Sequence, residues 1–462
     1  MDAKILEASN RHLKPADRVF QYGTAGFRMK ANLLDSVVFR VGLVAALRSR
    51  KLGGQTIGVM ITASHNPPED NGVKLVDPMG EMLENSWEAY STQLANAKNE
   101  DVVDVYRKLE KDLKINPEAP ASEVGYYEKL AKAFERAMKG KKAVDQFTVD
   151  CANGVGGPKL DELIKYLPKG ILDIKVINDD VLKAENLNHE CGADFVKTKQ
   201  RAPPSSRAGN NDRCCSLDGD ADRIIYYFND PDHGFRLLDG DRIATLAASF
   251  IGDLAREAGL ADELRIGVVQ TAYANGASTK YVEKTLKLPV VCTPTGVKWL
   301  HHAATKFDVG VYFEANGHGT VVFSQQALKA FSSTEPESPA QASALETLRA
   351  LTDLINQTVG DALSDMLLVE TILAHKSWTP KRMGSYLHRF AQSPCPSRSS
   401  DRNVFKTTDA ERKLVEPQEV LHEQVVPKMP LRVYAEAATR SEADDLASKV
   451  ASLCKIEGSI KG

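Results

Sequence analysis

The stretch Arg213–Phe228, RCCSLDGDADRIIYYF, sets three carboxylates at alternate positions between two apolar runs. RCCSL and IIYYF read as strands, and the acidic turn DGDADR joins them. Asp218, Asp220 and Asp222 cannot crowd together unless something cancels their repulsion, and a hard divalent cation does so. Mg²⁺ takes oxygen ligands near octahedral geometry, with water or phosphate completing the shell. The alternative is a solvated acidic turn, but no polar run flanks this one. It is not an EF-hand, because Arg223 stands where that loop needs glycine and Asn229 where it needs the closing glutamate.

Outward from this turn, short apolar runs alternate with amphipathic ones. QTIGVMIT (Gln55–Thr62), FTVDC, RIGVVQT and VGVYFEA are strand-like, whereas EVGYYEKLAKAFERAMK (Glu123–Lys139) and DRIATLAASFIGDLAREAG (Asp241–Gly259) carry helical periodicity. Such alternation predicts an α/β fold with parallel or mixed sheets, whose ligands bind beyond the strand ends. Glu84–Ala121 is charged and helical. Lys197–Arg213 and Ser332–Ser343 read as loops, and Phe390–Asn403, FAQSPCPSRSSDRN, as a linker or irregular loop. A small C-terminal unit follows, with LRVYAEA as a strand and SEADDLASKVASLC as a helix that Ser441 would cap.

The bulk numbers bound the function. A chain of 462 residues, 42% hydrophobic and 26% charged, is ordinary globular composition for more than one domain. A formal net charge of −3 gives no basic excess for nucleic acid or anionic membrane. No apolar run reaches the length of a membrane span, and the first residues have no apolar core of a secretory signal. Seven cysteines without regular spacing argue against a disulfide framework. The adjacent Cys214 and Cys215 are expected to be buried reduced thiols, and the cytosol is the expected compartment.

A second cluster lies in TASHNPPEDNGVKLVDPMGEML (Thr62–Leu83). Ser64 ends a strand-like run, with His65 and Asn66 beside it and Lys74 beyond. Alone, SHNPP could be only a turn. A phosphoserine, however, would bring about −1.5 to −2 charges and three acceptor oxygens. It would supply the oxygen ligand that a metal on three aspartates lacks. Lys74 could neutralise phosphoryl charge or act as a general acid/base, or be an exposed lysine on a strand edge. Arg28 in QYGTAGFR is a candidate phosphate partner. A third cluster, FEANGHG, places Glu314, Asn316 and His318 two apart. On extended backbone they would share one side and suit hydroxyl recognition on a sugar. A plain turn is the other reading.

Together QYGTAGFR, the serine stretch, LNHECGADFVK, CCSLDGDADRI, GVVQTAYANG and GVYFEANGHGT resemble the α-D-phosphohexomutase superfamily. Within it they are similar to the eukaryotic phosphoacetylglucosamine mutases, whose sugar loop has the EANGH form. The resemblance covers most of the chain from about Gln21 to His375. It implies three mixed α/β domains around a cleft plus a smaller α+β C-terminal domain, here expected at residues 1–122, 123–237, 238–385 and 386–462. It implies interconversion of N-acetylglucosamine 6-phosphate and 1-phosphate through a 1,6-bisphosphate. Ser64 would be the phosphoserine. Ser64, Asp218, Asp220 and Asp222 would hold Mg²⁺, with Arg223 and Arg28 near the phosphoryl centre and Lys74 or His65 taking the hydroxyl proton. Glu314, Asn316, His318, Thr295 and Gly296 would bind the sugar phosphate, and no protein partner is implied.

The chain departs from the family pattern in three places. The family's last domain carries an Arg-Pro-Ser-Gly-Thr-Glu type loop before the strand matching RVYAEA. Here the chain reads HEQVVPKMPLRVYAEA, with Lys428 and Arg432 as nearby cations. In the first domain, DLKINPEAPASEVGYYEKL runs directly toward the second, where the family has a strand with a Gly-Arg-Asp-Thr-Arg type loop and further sheet. Pro294 stands where the family usually has lysine before Thr295-Gly296. Clean joins at both gaps are what an incomplete or alternatively spliced transcript would give. A sugar-phosphate-binding homologue with weakened or lost catalysis is the alternative.

Overall fold

The computed structural model describes residues 2–115 and 126–382, apart from 24–25, 54, 56, 64–65, 79–81, 144–145, 358 and 380. Beyond 382 it describes 391–396, 406–408, 410, 413–416, 432–437, 441–446 and 448–449.

The first unit contains α1 (Asp2–Ser9), β1 (Phe27–Lys30), α2 (Asp35–Lys51), β2 (Gly58–Ile61), β3 (Asp70–Val76), α3 (Asn85–Asn96) and α4 (Val102–Asp112). Its strands form an antiparallel sheet in the order β1-β3-β2. Helix α2 buries Val37, Val41 and Val44, one stripe at helical spacing. Each such side chain contributes about 1.5–3 kcal/mol on burial. Arg48 of α2 binds Asp77, just after β3, through Nε at 2.9 Å and Nη2 at 2.7 Å, a bidentate pair inside the unit. On the same sheet face Val73 and Leu75 are buried, with Phe27 of β1 beside them. Val59 and Ile61 lie opposite Leu75 and Val73, yet they remain 43% and 48% exposed. The covering layer thus ends at β3 among the described residues.

The second sheet follows α5 (Tyr126–Met138). It comprises β4 (Phe147–Asp150), β5 (Ile174–Ile177), β6 (Arg213–Leu217), β7 (Ile224–Asp230) and β8 (Gly234–Leu238), with α6 (Gly156–Tyr166) and α7 (Gly192–Lys199) between strands. Its order is β5-β4-β6-β7-β8, parallel across the first three and antiparallel after β6. Cys214 and Cys215 are buried in β6.

A third sheet, β10-β9-β11-β12, is built from β9 (Ile266–Thr271), β10 (Val290–Thr293), β11 (Val309–Phe313) and β12 (Gly319–Phe323). Strands β9, β10 and β11 are parallel, and β12 returns antiparallel. Helices α8 (Gly240–Glu257), α9 (Gly276–Tyr281), α10 (Val297–Ala304), α11 (Gln325–Ser333), α12 (Pro339–Leu354) and α13 (Ala362–Lys376) complete this part. Ser338 caps α12 by accepting from Gln341 N, with Pro339 opening the helix, and Asp361 caps α13 by accepting from Ser364 N.

The second and third sheets share one hydrophobic core, which runs from Leu130 to Ala374. Helix α13 has no polar face, being buried from Ala362 to Ala374. A buried ion pair joins its Glu370 to Arg213 of β6 at 3.1 Å, and Tyr226 Oη of β7 donates to Glu370 at 3.1 Å. Burial pushes the Glu370 carboxyl up, with Arg213 opposing.

Beyond these sheets, β13 (Ala391–Pro396) pairs antiparallel with β16 (Arg432–Ala437), and β14 (Lys406–Thr408) with β15 (Lys413–Glu416). The expected linker at Phe390–Asn403 therefore contains a strand. Residues 441–446 and 448–449 are helical. The anticipated phosphate-loop position, before β16, lies outside the described residues. No helix among the described residues is long and apolar enough to cross a membrane.

Candidate active site

The acidic turn closes because Ala221 adopts φ +57° and its N–H returns to the Asp218 carbonyl at 3.1 Å. One carboxylate oxygen from each of Asp218, Asp220 and Asp222 then lies within 4.8 Å of the others. Asp218 Oδ1 accepts from the backbone N–H of Asp222 at 3.1 Å and of Arg223 at 3.2 Å, so the loop is partly self-supporting. Beneath it, Asp150 accepts from Ser216 Oγ at 2.6 Å, Gly192 N at 2.7 Å and Asn178 Nδ2 at 2.7 Å, locking β4, β6, α7 and the end of β5 together.

Burial and mutual repulsion push the Asp218 carboxyl well above the ordinary carboxylate range, and burial with Asp222 also raises Asp220. Asp222 goes the other way: burial opposes ionisation, but His318, Arg223 and Lys74 hold its carboxyl below the usual value. Burial alone would lower Arg223, yet Asp218, Asp222 and Asp194 together push it up. Its guanidinium lies 3.5 Å from Asp218, 3.7 Å from Asp222 and 3.3 Å from Asp194 of α7. Asp220 Oδ1 and Asp222 Oδ1 are buried without a hydrogen-bond partner among the described residues. Hard anionic oxygens, converging and partly unsatisfied, fit a divalent cation such as Mg²⁺. By contrast, the acidic turn at Asp230, Asp232 and His233 is largely exposed, and Asp230 Oδ1 is satisfied by the N–H groups of Asp232 and His233.

The first unit reaches this loop through Thr62, whose hydroxyl donates to Asp220. Thr62 N also donates to Gly72 O at 2.9 Å, extending the β2–β3 register. In that register Arg28 lies opposite Gly72 and Met60 opposite Lys74. Arg28, Lys74 and Thr62 thus share the sheet face opposite Val73 and Leu75. Lys74 is half-buried and acts electrostatically on Asp220 and Asp222. Arg28 is exposed. Ser64 and His65 lie outside the described residues.

Glu314, Asn316 and His318 do come together, but not on extended backbone. Strand β11 ends at Phe313, and residues 314–318 form the tight turn into β12, closed by Glu314 N to His318 O at 2.8 Å and Gly317 N to Glu314 O at 2.9 Å. Gly317 adopts φ +92°, and a Cβ there would lie 2.2 Å from Ile224 O. The turn packs directly on the acidic loop: Ile224 N donates to Gly317 O at 3.2 Å, and Arg223 and His318 form an isolated β-bridge. His318 Nδ1 lies 3.5 Å from Asp222. Lys197 Nζ, from α7, donates to Ala315 O at 2.6 Å. Thr295 and Gly296 join β10 to α10, beyond the same sheet end as the 314–318 turn. Lys298, two residues on, pairs with Glu88 of α3 at 2.5 Å.

Sequence reasoning missed Thr62, Asp194 and Tyr273. Thr62 lies two residues before Ser64 on the strand's period. Asp194 sits in the first turn of α7. Tyr273 stands at the end of β9, where aromatic and small polar residues follow an apolar run.

A mixed α/β chain whose acidic loop meets a serine-bearing strand end on one side and a Glu-Ala-Asn-Gly-His turn on the other defines an α-D-phosphohexomutase. Family models agree: phosphoacetylglucosamine mutase AMG1 domain III matches residues 239–378 and domain II residues 118–225, and a phosphoglucomutase/phosphomannomutase alpha/beta/alpha domain I matches 43–100. The phosphoacetylglucosamine mutase of Candida albicans is 43% identical, over 96% of this chain and 98% of its own. That alignment runs over 533 residues, longer than this whole chain of 462, so the relative carries stretches without a counterpart here. Crystal structures of the Aspergillus fumigatus N-acetylphosphoglucosamine mutase match as well. One, in complex with GlcNAc-6P and magnesium, has a TM-score of 0.88 at 54% identity and covers 99% of each chain. Another, a serine-to-alanine variant with glucose 1,6-bisphosphate, has a TM-score of 0.87 at 55% identity and the same coverage. The chain belongs to the phosphoacetylglucosamine mutase family, and it is an isomerase of the phosphohexomutase superfamily.

Proposed function

We propose that this chain interconverts N-acetylglucosamine 6-phosphate and N-acetylglucosamine 1-phosphate, a step that feeds UDP-N-acetylglucosamine synthesis. The observation that carries the reading is the meeting of two other segments at the acidic turn: Thr62, two residues from Ser64, bonds Asp220, and His318 lies beside Asp222. Phosphoryl transfer depends on positioning and charge neutralisation more than on covalent novelty, which is what such a junction offers. Asp218, Asp220 and Asp222 are the residues that would hold Mg²⁺, with a phosphate on Ser64 as a further oxygen ligand. When bound, the ion supplies Lewis-acid neutralisation of the transferring phosphoryl oxygens.

Ser64 gives its phosphoryl group to the free hydroxyl of the bound sugar phosphate, making a 1,6-bisphosphate. After the intermediate turns end for end, the Ser64 hydroxyl takes the other phosphoryl group back. Lys74 takes the proton of the accepting hydroxyl, with His65 as the other candidate, and Arg28 and Arg223 neutralise phosphoryl charge. Glu314, Asn316 and His318 recognise the sugar, with Thr295 and Gly296 at the neighbouring strand end. The four-domain division at 122, 237 and 385 belongs to this reading. So does a cytosolic location, in keeping with five free cysteines among the described residues. The relatives are mutases, so an inactive binding homologue is not favoured.

The test is Ser64→Ala. Turnover should vanish while sugar-phosphate binding persists, because alanine removes the phosphoryl carrier alone. Wild-type turnover in this variant would end the proposal.

A further inference from the structure

Beyond the residues of the sugar turn itself, the buried groups around it include one that bonds that turn through its side chain. Tyr273 lies in the loop between β9 and α9, at the sheet end where the parallel strand β11 delivers Glu314. Its Oη donates to Glu314 Oε1 at 3.1 Å, and each residue is only 7% exposed. The other carboxylate oxygen, Oε2, faces Asn316 Nδ2 at 3.5 Å, and Asn316 Oδ1 accepts from His318 N at 3.0 Å. One chain of hydrogen bonds therefore runs from Tyr273 through Glu314 and Asn316 to His318. The Glu314 carboxylate also acts on Arg223 of the acidic loop.

We propose that Tyr273 is a positioning residue for sugar recognition: its hydroxyl fixes the Glu314 carboxylate in the orientation that accepts the ring hydroxyls of the sugar phosphate. The inference rests on the reading of residues 314–318 as the sugar turn. A free glutamate side chain has several rotamers, and holding one of them before ligand arrives removes an ordering cost from binding. An O–H···O⁻ bond in a buried site is strong enough to do so. It occupies one lone pair of Oε1 and leaves the carboxylate further acceptor capacity for ligand hydroxyls. A hydroxyl at this place thus serves the carboxylate rather than the sugar directly.

Calorimetry with N-acetylglucosamine 6-phosphate on wild type, Tyr273→Phe, Glu314→Gln and the double variant tests this. Phenylalanine keeps the ring and its packing, and melting curves of all four report any loss of fold. Tyr273→Phe should weaken the sugar phosphate roughly tenfold. The same change in the Glu314→Gln background should add little, because the group it orients is already altered. Affinity for inorganic phosphate should stay unchanged. Equal affinity in Tyr273→Phe and wild type, or full additivity in the double variant, would overturn the inference and leave the mutase reading standing. If wild type itself does not bind the sugar phosphate, or Glu314→Gln binds it unchanged, the reading falls and the inference with it.

Discussion

His318 Nδ1 stands 3.5 Å from Asp222 Oδ2, so the turn assigned to the sugar and the loop assigned to the metal touch through one imidazole–carboxylate contact. Gly360, in the segment that leads into α13, makes that contact possible. A Cβ on Gly360 would lie 2.5 Å from Asp222 O and 2.6 Å from the His318 ring. Just beyond, Ala362 N donates to Ala221 O at 2.8 Å, so the acidic loop is seated on the start of α13.

Gly360→Ala should therefore push His318 away from Asp222. Overpacking of this kind costs about 1–3 kcal/mol. The expected outcome is a lower melting temperature together with weaker sugar-phosphate binding, read by calorimetry. Unchanged binding would mean that the His318–Asp222 contact is incidental.

Asp220→Asn keeps an acceptor for the Thr62 hydroxyl but removes one anionic oxygen donor. Mg²⁺ affinity should fall at least about tenfold while the first unit stays docked. Titration calorimetry with Mg²⁺ alone gives the answer, and an unaltered affinity would remove Asp220 from the ligand set.

Glu370→Gln removes the counter-charge that Glu370 sets 3.1 Å from the buried Arg213 and should cost about 3–5 kcal/mol of stability. Replacing both partners by apolar residues, Arg213→Met with Glu370→Leu, should recover most of it. The Tyr226 hydroxyl loses its Glu370 acceptor in that double variant and keeps the longer bond to Met366 O at 3.5 Å, so recovery should stop short of wild type. Denaturant melts of the three proteins check this. Equal stability of Glu370→Gln and wild type would show that the pair contributes no net stability.

By the resemblance drawn from the sequence, HEQVVPKMPL before β16 has no Arg-Pro-Ser-Gly-Thr-Glu type run where the family carries its phosphate loop. Charge-assisted hydrogen bonds from such a loop are worth about 1.5–3 kcal/mol each. Their absence should let the bisphosphate leave before it turns. Low turnover is expected, with free bisphosphate detectable in the reaction mixture and rescue by added glucose 1,6-bisphosphate. Full turnover without release would mean that another cation, Lys428 or Arg432 for example, does the work of the loop.

The acidic turn was legible because it stands between the largely apolar strands β6 and β7, and its three carboxylates do converge. Strands β2, β4, β6, β7, β9 and β11 and helices α5 and α8 were legible as apolar runs of clear period, whereas β1, β3, β10 and α7, which carry Arg28, Lys74, the Thr295 loop and Asp194, were not. The 314–318 turn, proposed to bind the sugar, was singled out by its residue types but read with the wrong backbone. Its carboxylate, amide and imidazole converge through a hairpin closed at Gly317, which alternation along a strand does not describe. Strand β13 was hidden by Ser393, Pro394 and Pro396, and it exists as a strand through pairing with Arg432–Ala437. Thr62, Asp194 and Tyr273 act on Asp220, Arg223 and Glu314 from far along the chain. Such partners are set by packing, and no local spacing encodes them.

Ser64 is proposed to carry the transferred phosphoryl group. Intact mass spectrometry of the purified protein before and after incubation with glucose 1,6-bisphosphate and Mg²⁺, followed by site mapping, tests it most directly. A gain of one phosphoryl group, located on Ser64, is expected, and its loss again on addition of N-acetylglucosamine 6-phosphate. No gain, or a gain on any other residue, would contradict it.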